Sequence, residues 1–396
     1  MVAFAAKKLI WCDPLPSEYT FPHELAILSA RLPIELMSSG VLPDSTKEEE
    51  MNQITNHMRI CMSIDDSFHK ITSLNPSEPI VSDAAYFLMN RQNLKAPFNA
   101  PKVLLAVLDG VAVHRGDRGE LVALLALTMA RDRAAERSKN SVIGVVSFLK
   151  ELIAVRPVPN ERFVDIMKIK PSVYKDSSDR NVPLEEAFAE IRVYFNHFIK
   201  RRQQDFLDES VLREFIARCA AVMGANGEEG WDVVIPSVSG PPETLVVRGT
   251  MGLIMVQVKN DPRYSATVSI PLFDRMDPVA MGFIDRDESL ETPIIRMVLA
   301  LAGTKPAIDY VRTQNPGKFT AYDIWISGLS PKTFGLIDEV SHGTWTSLLS
   351  ASPRKGWKEM YDLRKQSLAT KMKQQYPLAA NDPAFRTFGQ RKLPSD

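Results

Sequence analysis

Three side chains in this sequence have types and spacing that could do chemistry together. They are Asp232 in "GWDVVIPSV", and Gln257 and Lys259 in "GLIMVQVKN". The second stretch is a run of Leu, Ile, Met and Val that suits a buried strand, yet it finishes on an amide and an ammonium. Strand side chains alternate between faces. Gln257 and Lys259 therefore share a face with Leu253 and Met255, while Ile254, Val256 and Val258 line the other. Asp232 stands at the start of a second apolar strand, and if the two strands are neighbours its carboxylate approaches the pair. A carboxylate, the Gln257 amide oxygen and the Val258 backbone carbonyl are hard oxygen donors, which suit Mg²⁺ or Mn²⁺ better than zinc. Lys259 would then orient or help deprotonate an attacking water and stabilise charge on a phosphate.

An Asp followed by (Asp/Glu/Gln)-x-Lys at a strand end resembles the signature of the restriction-endonuclease-like, or PD-(D/E)xK, superfamily. The resemblance implies Asp232 and Gln257 on a divalent ion and Lys259 at the water. Many members add a glutamate from the helix before the strands. The matching position is Glu120 in "HRGDRGELVALLALTMARDRA", so the implied metal ligands are Asp232, Gln257, Glu120 and the Val258 carbonyl. Gln257 stands where a carboxylate is usual, and an amide ligates metal more weakly.

Together with "YFNHFIK", "WDVVIP", "VQVKND" and "FTAYDIWISGLSP", the chain also looks like fungal proteins akin to the nuclease-like regions of Crinkler effectors, over roughly residues 20 to 360. In such proteins a nuclease-like module often follows an NTPase module. This sequence has no G-x-x-x-x-G-K-[ST], so the resemblance implies the nuclease half at most. The expected activity is metal-dependent hydrolysis of nucleic-acid phosphodiester bonds. The second expectation is an inactive descendant of that fold, binding nucleic acid or a protein partner.

Each residue also has a plain structural reading. Gln257 and Lys259 could be the ordinary polar end of a strand, and Asp232 a turn residue after "GEEG". Asp117-x-x-Glu120 spells a capping box. Lys200, Arg201 and Arg202 follow Tyr194, Phe195 and Phe198. They read either as a nucleic-acid contact or as a helix C-terminus whose cations offset the dipole. Asp65 and His69 are four apart, with no third metal ligand in place.

Composition narrows the classes. Lys plus Arg and Asp plus Glu both total 48, for a formal net charge of +0, so the whole-chain basic field of a simple nucleic-acid binder is missing. A local groove can still be basic. Three scattered cysteines, Cys12, Cys61 and Cys219, make neither a disulfide framework nor a zinc spacing. No signal-like segment opens the chain, and "LVALLALTMA" is about half the ~20 residues a membrane span needs. The expectation is an intracellular protein, nuclear or cytoplasmic, without a membrane partner.

The elements that must position these residues follow from periodicity. Residues 1–100 read as helical, from "PHELAILSARLPIEL" through "TKEEEMNQITNHMRICMSIDDSFHKITSL" to "SDAAYFLMNRQN", the last with a Ser82 or Asp83 cap. A core at 101–330 carries the long apolar helix to about Arg137 and an insertion around 138–205 with a helix "VIGVVSFLKELIAV". Within the insertion "LEEAFAEIRVYFNHFIKRR" reads as a helix on a stripe of Phe188, Ile191, Phe195 and Phe198, and "DESVLREFIARCAAV" as the next. "WDVVIPSV", "TLVVRG" and "MGLIMVQVK" read as strands. "TPIIRMVLALAG" and "FTAYDIWISGL" fit strands or short helices. Residues 331–396 form a basic, helical tail. The class is mixed α/β or α+β, and the resemblance implies a restriction-endonuclease-like core.

Overall fold

A computed structural model describes residues 1–36, 44–64, 71–110, 115–154, 162–201, 208–225, 230–264, 267–283 and 288–350. Asp65, His69, Arg202 and the basic tail beyond residue 350 lie outside the described residues. Helices α1 (Val2–Leu9), α2 (Phe21–Ser29) and α3 (Asp44–Asn56) precede a hairpin of β1 (Ile60–Ile64) and β2 (Ile71–Leu74). Next come α4 (Pro79–Met89), α5 (Ala100–Gly110), α6 (Arg115–Ser138), β3 (Ile143–Gly144) and α7 (Val145–Leu152). They lead to β4 (Val173–Tyr174), α8 (Leu184–Ala187), β5 (Ile191–Val193) and β6 (His197–Lys200). The remainder is α9 (Glu209–Ala217), β7 (Ala220–Met223), β8 (Val233–Ser239), β9 (Met251–Lys259), α10 (Ile270–Arg275) and β10 (Ile294–Ala300). It closes with β11 (Ala307–Tyr310), β12 (Asn315–Pro316), β13 (Ala321–Ser327) and α11 (His342–Ser350). The class is mixed α+β.

One sheet of eleven strands organises the chain, in the order β12-β4-β13-β10-β9-β8-β5-β3, with β11 on β13 and the β6–β7 pair joined to β8. β9, β10 and β13 run parallel, and β8 is antiparallel to β9. The strands of this centre are buried and mostly apolar on both sides, as a sheet covered on both faces requires. One face carries Val233, Val256, Met297 and Ile324 with the leucines of α6. The other carries Val234, Met255, Val298 and Trp325 with Leu272 and Phe273 of α10. α6 is buried along its apolar run, and no described helix is long and apolar enough to cross a membrane.

Several expectations are corrected. Residues 184–202 are not one helix: α8 stops at Ala187, and β5 and β6 enter the main sheet. The 3–4 spacing of Phe188, Ile191, Phe195 and Phe198 mimicked a helical stripe, but these aromatic and β-branched residues suit strands once a partner edge is present. The stretch read as an insertion thus supplies β3 to β6 of the sheet. α9 likewise ends at Ala217, and "CAAV" runs into β7. "TLVVRG" forms no strand: Leu245 and Val247 are exposed, and its last residues enter a short 3-10 helix, Arg248–Thr250. α4 begins at Pro79, a residue preorganised for a first helical turn, and neither Ser82 nor Asp83 caps it. Ser82 Oγ donates instead to the Ala30 carbonyl, and Asp83 accepts from the Asn196 amide.

The N-terminal hundred residues hold the β1–β2 hairpin amid their helices. Arg59 anchors it, donating to Ser73 Oγ (2.6 Å), Asn75 Oδ1 (3.0 Å) and the Ile34 carbonyl (3.1 Å). Beyond that anchor β1 is exposed along its whole length, and a bulge between Cys61 and Ser63 shifts its register.

A second buried cation joins this region to the sheet. Arg31, just past α2, forms a two-pronged ion pair with Asp132 of α6, with Nη2 to Oδ1 at 2.8 Å. Its Nε donates to the Asn196 carbonyl at 2.8 Å, and its guanidinium lies over the Tyr86 ring of α4. Four elements therefore meet on one guanidinium. Asp132→Ala would leave that charge buried and unpaired, at about 3–5 kcal/mol of stability, read as a lowered midpoint in denaturant unfolding.

Beside this hub, His197 is buried between Ser77 Oγ (2.8 Å) and Asn196 Oδ1 (2.7 Å). Burial, then the Arg31 and Arg218 charges, lower its pKa from 6.5 to about 4. The unfolded chain therefore binds more protons between those two values, and stability falls as pH drops through that window. Melting temperatures of His197→Gln should fall less than wild type's over the same range.

Candidate active site

β8 and β9 build the site through their register. The last ladder pair is Val233 with Val256, and Asp232 is the residue just before that pair. The Asp232 N–H donates to the Val256 carbonyl at 2.9 Å, which keeps the two strands together to this point. The Lys259 charge acts on the Asp232 carboxylate, so Asp232 stands within reach of the end of β9.

The Asp232 carboxylate turns back on the strand, and its Oδ2 accepts the Val258 N–H at 2.5 Å. Burial raises its pKa above the ordinary 3.8, against the lowering pull of that N–H and of the Lys259 charge. In an antiparallel pair the N–H and C=O of one residue point to the same edge, so the Val258 carbonyl also faces the Asp232 side.

Gln257 is 5% exposed, and its Oε1 is buried with no hydrogen-bond partner. A native core rarely leaves such an acceptor unmet. Lys259 is half-buried, with Nζ 5.9 Å from the centre of the Tyr264 ring. Its carbonyl accepts the Leu301 N–H at 2.9 Å, so the backbone here is fixed by the neighbouring strand.

Glu120 reaches this end of the sheet by another route. A Cβ on Gly119 would stand 2.7 Å from Asn260 Cβ. The start of α6 thus lies against the residue that follows Lys259, and glycine permits that approach. α6 packs on the Ile254, Val256 and Val258 face, so Glu120 comes from the side of the sheet opposite Gln257 and Lys259. The helix already runs from Arg115, which puts Asp117 inside it and not at the N-cap. Asp232, Gln257, Val258 and Lys259 share one sheet end, and the start of α6, which carries Glu120, lies against the neighbouring Asn260.

Among the described residues no three His, Cys, Asp or Glu side chains converge as a metal cluster. The oxygens that could hold an ion are the Asp232 carboxylate, Gln257 Oε1, the Val258 carbonyl and the Glu120 carboxylate. The unmet Gln257 Oε1 fits a hard divalent cation, which would supply the missing partner.

Lys200 and Arg201 lie at a strand end and not at a helix C-terminus. Lys200 Nζ is 3.5 Å from the Glu35 carboxylate, and the Arg201 N–H donates to the Met223 carbonyl at 3.0 Å. Sequence reasoning missed Gly119, Asn260 and Tyr264. Asn260 could have been found, since it directly follows the "VQVK" strand end; Gly119 carries no signal until α6 is docked.

The raised pKa of Asp232 sets the sign of a stability test. Its ionised form is disfavoured by folding, so the carboxylate lowers stability at neutral pH. Asp232→Asn should raise the melting temperature there, and the gain should shrink as acid protonates the wild-type group.

A family model described as "Domain of unknown function (DUF8736)" matches residues 22–271, well over half of the 396-residue chain. The matched region includes Glu120, Asp232, Gln257 and Lys259. No curated protein and no solved structure matches.

Proposed function

The chain belongs to the DUF8736 family, and we propose that it is a metal-dependent nuclease built on a restriction-endonuclease-like core. The observation that carries this reading is Gln257 Oε1, a buried acceptor without a partner, on the same strand face as Lys259 and next to Val258, whose N–H holds Asp232. An acceptor, a carboxylate and an ammonium at one sheet end are what metal-assisted attack on a phosphodiester needs.

Asp232 and Gln257 would hold an Mg²⁺ or Mn²⁺ ion, with the Val258 carbonyl beside them and Glu120 as the auxiliary acid. The ion when bound supplies Lewis-acid polarisation of a phosphoryl oxygen. Lys259 orients the attacking water in line with the leaving oxygen and offsets charge on the phosphate. The Val258 N–H holds the Asp232 carboxylate in place, so the residue enters the reaction preorganised.

A second reading is a descendant of the same fold that binds without cutting. Two observations favour it: the amide at Gln257 where a carboxylate is usual, and the burial that raises the Asp232 pKa. Both lower the negative charge available to a cation.

The deciding assay is cleavage of mixed DNA and RNA with Mg²⁺ or Mn²⁺, wild type beside Lys259→Ala and Asp232→Ala. The nuclease reading expects metal-dependent cutting that falls by about 10²-fold or more in each variant, with melting curves that remain cooperative. Cutting that persists in chelator or in both variants would refute the site. Binding without cutting selects the second reading.

A further inference from the structure

The alternation of side chains separates Lys200 from Arg201. Lys200 pairs in register with Met223, and Met223 with Val233, which pairs in turn with Val256. Met223, Val233 and Val256 all lie in the cluster on the α6 side of the sheet. Lys200 therefore faces that side, where Glu35 meets its ammonium. Arg201 is the next residue and faces the other way, the side of Val222, Val234 and Met255. That is the face of Gln257 and Lys259.

Arg201 also stands on the same transverse line as the candidate site. Its N–H donates to the Met223 carbonyl (3.0 Å), the Gly224 N–H to the Asp232 carbonyl (2.8 Å), and the Asp232 N–H to the Val256 carbonyl (2.9 Å). These bonds tie the ends of β6, β7, β8 and β9 into one row. Three strand spacings set Arg201 ~14 Å from the end of β9. Arg201 Nη1 is buried with no hydrogen-bond partner. The row thus carries two unmet polar groups of opposite character, an acceptor at Gln257 and a donor at Arg201.

We propose that Arg201 is a positioning residue that holds a backbone phosphate of an extended nucleic-acid strand, away from the phosphate that Lys259 faces. The substrate is then a polymer laid across the ends of β9, β8, β7 and β6, and not a mononucleotide. The inference rests on the nuclease reading for its chemistry, but its binding half can be read without cleavage.

The test uses full-length protein and fluorescein-labelled single-stranded DNA and RNA oligonucleotides of graded length. Binding is measured by anisotropy across a salt series in the Lys259→Ala background, and cleavage with Mn²⁺ in the otherwise wild-type chain. Arg201→Gln should weaken binding about three- to tenfold and lower the salt slope by about one. In cleavage it should raise KM with kcat little changed, and Arg201→Lys should recover much of the loss. Lys200→Gln should bind as its parent does. Equal effects of Arg201→Gln and Lys200→Gln would overturn the proposal, as would a change in kcat alone or no change in any parameter. Failure of Arg201→Lys to recover binding, with a lowered melting temperature, would assign Arg201 a structural role and also overturn it. If wild type never cuts, the nuclease reading fails while the anisotropy arm still decides Arg201. No binding by any form overturns the proposal.

Discussion

The buried Arg31–Asp132 pair is the constraint on which the arrangement depends. Arg31 comes from the segment after α2, Asp132 from α6, and the same guanidinium holds the Asn196 carbonyl between β5 and β6. Arg131 adds a second cation to Asp132 at 3.2 Å and also lies over the Tyr86 ring. A charge taken out of water is tolerated only when its donors are met, and the Arg31 donors are met by groups from separate elements. The pair therefore fixes α6 relative to the sheet. That placement is what lets Gly119, near the other end of α6, lie against Asn260 beside β9.

A second buried pair works on the opposite face. Arg296 of β10 and Asp323 of β13 are direct register partners, joined by two bonds of 2.6 Å. Arg296 Nη1 also donates to the Phe273 and Met276 carbonyls at the end of α10, at 3.1 and 3.3 Å. These groups are satisfied within the scaffold and need nothing further. Gln257 Oε1 and Arg201 Nη1 are different, because each is buried and unmet. Arg131 Nε and the Ser237 and Ser327 hydroxyls are unmet as well, so what singles out Gln257 and Arg201 is their place at the strand ends.

The sequence was legible where one local pattern and the tertiary context agreed. β9 was readable to its ends, and the alternation within it assigned Gln257 and Lys259 to one face before any neighbour was known. α6 was readable because its long apolar run is helical in length and buried in fact. β5 and β6 were not, because aromatic residues at three- and four-residue spacing satisfy a helical stripe and a strand alike. Only the free edges of β8 and β7 settle that choice. The neighbouring of the two strands that carry Asp232 and Gln257 was an inference from the sequence, and β8 and β9 are paired in the structure. The Gly119–Asn260 approach joins positions far apart in the chain through the docking of a helix, and no local pattern carries that information.

The β1 strand bears on how the protein behaves in concentrated solution. Ile60, Met62 and Ile64 are exposed, Met62 at 53%, and the segment Ile60–Ile64 carries no charge and no proline. Among the described residues β1 pairs only with β2, and an uncharged apolar strand with a free edge is a template for pairing with other chains. The bulge between Cys61 and Ser63 interrupts the regular row of donors and acceptors along that edge. A feature that looks like an irregularity in a small hairpin thus guards the molecule against edge-to-edge aggregation. Straightening that strand would trade colloidal stability for a tidier ladder.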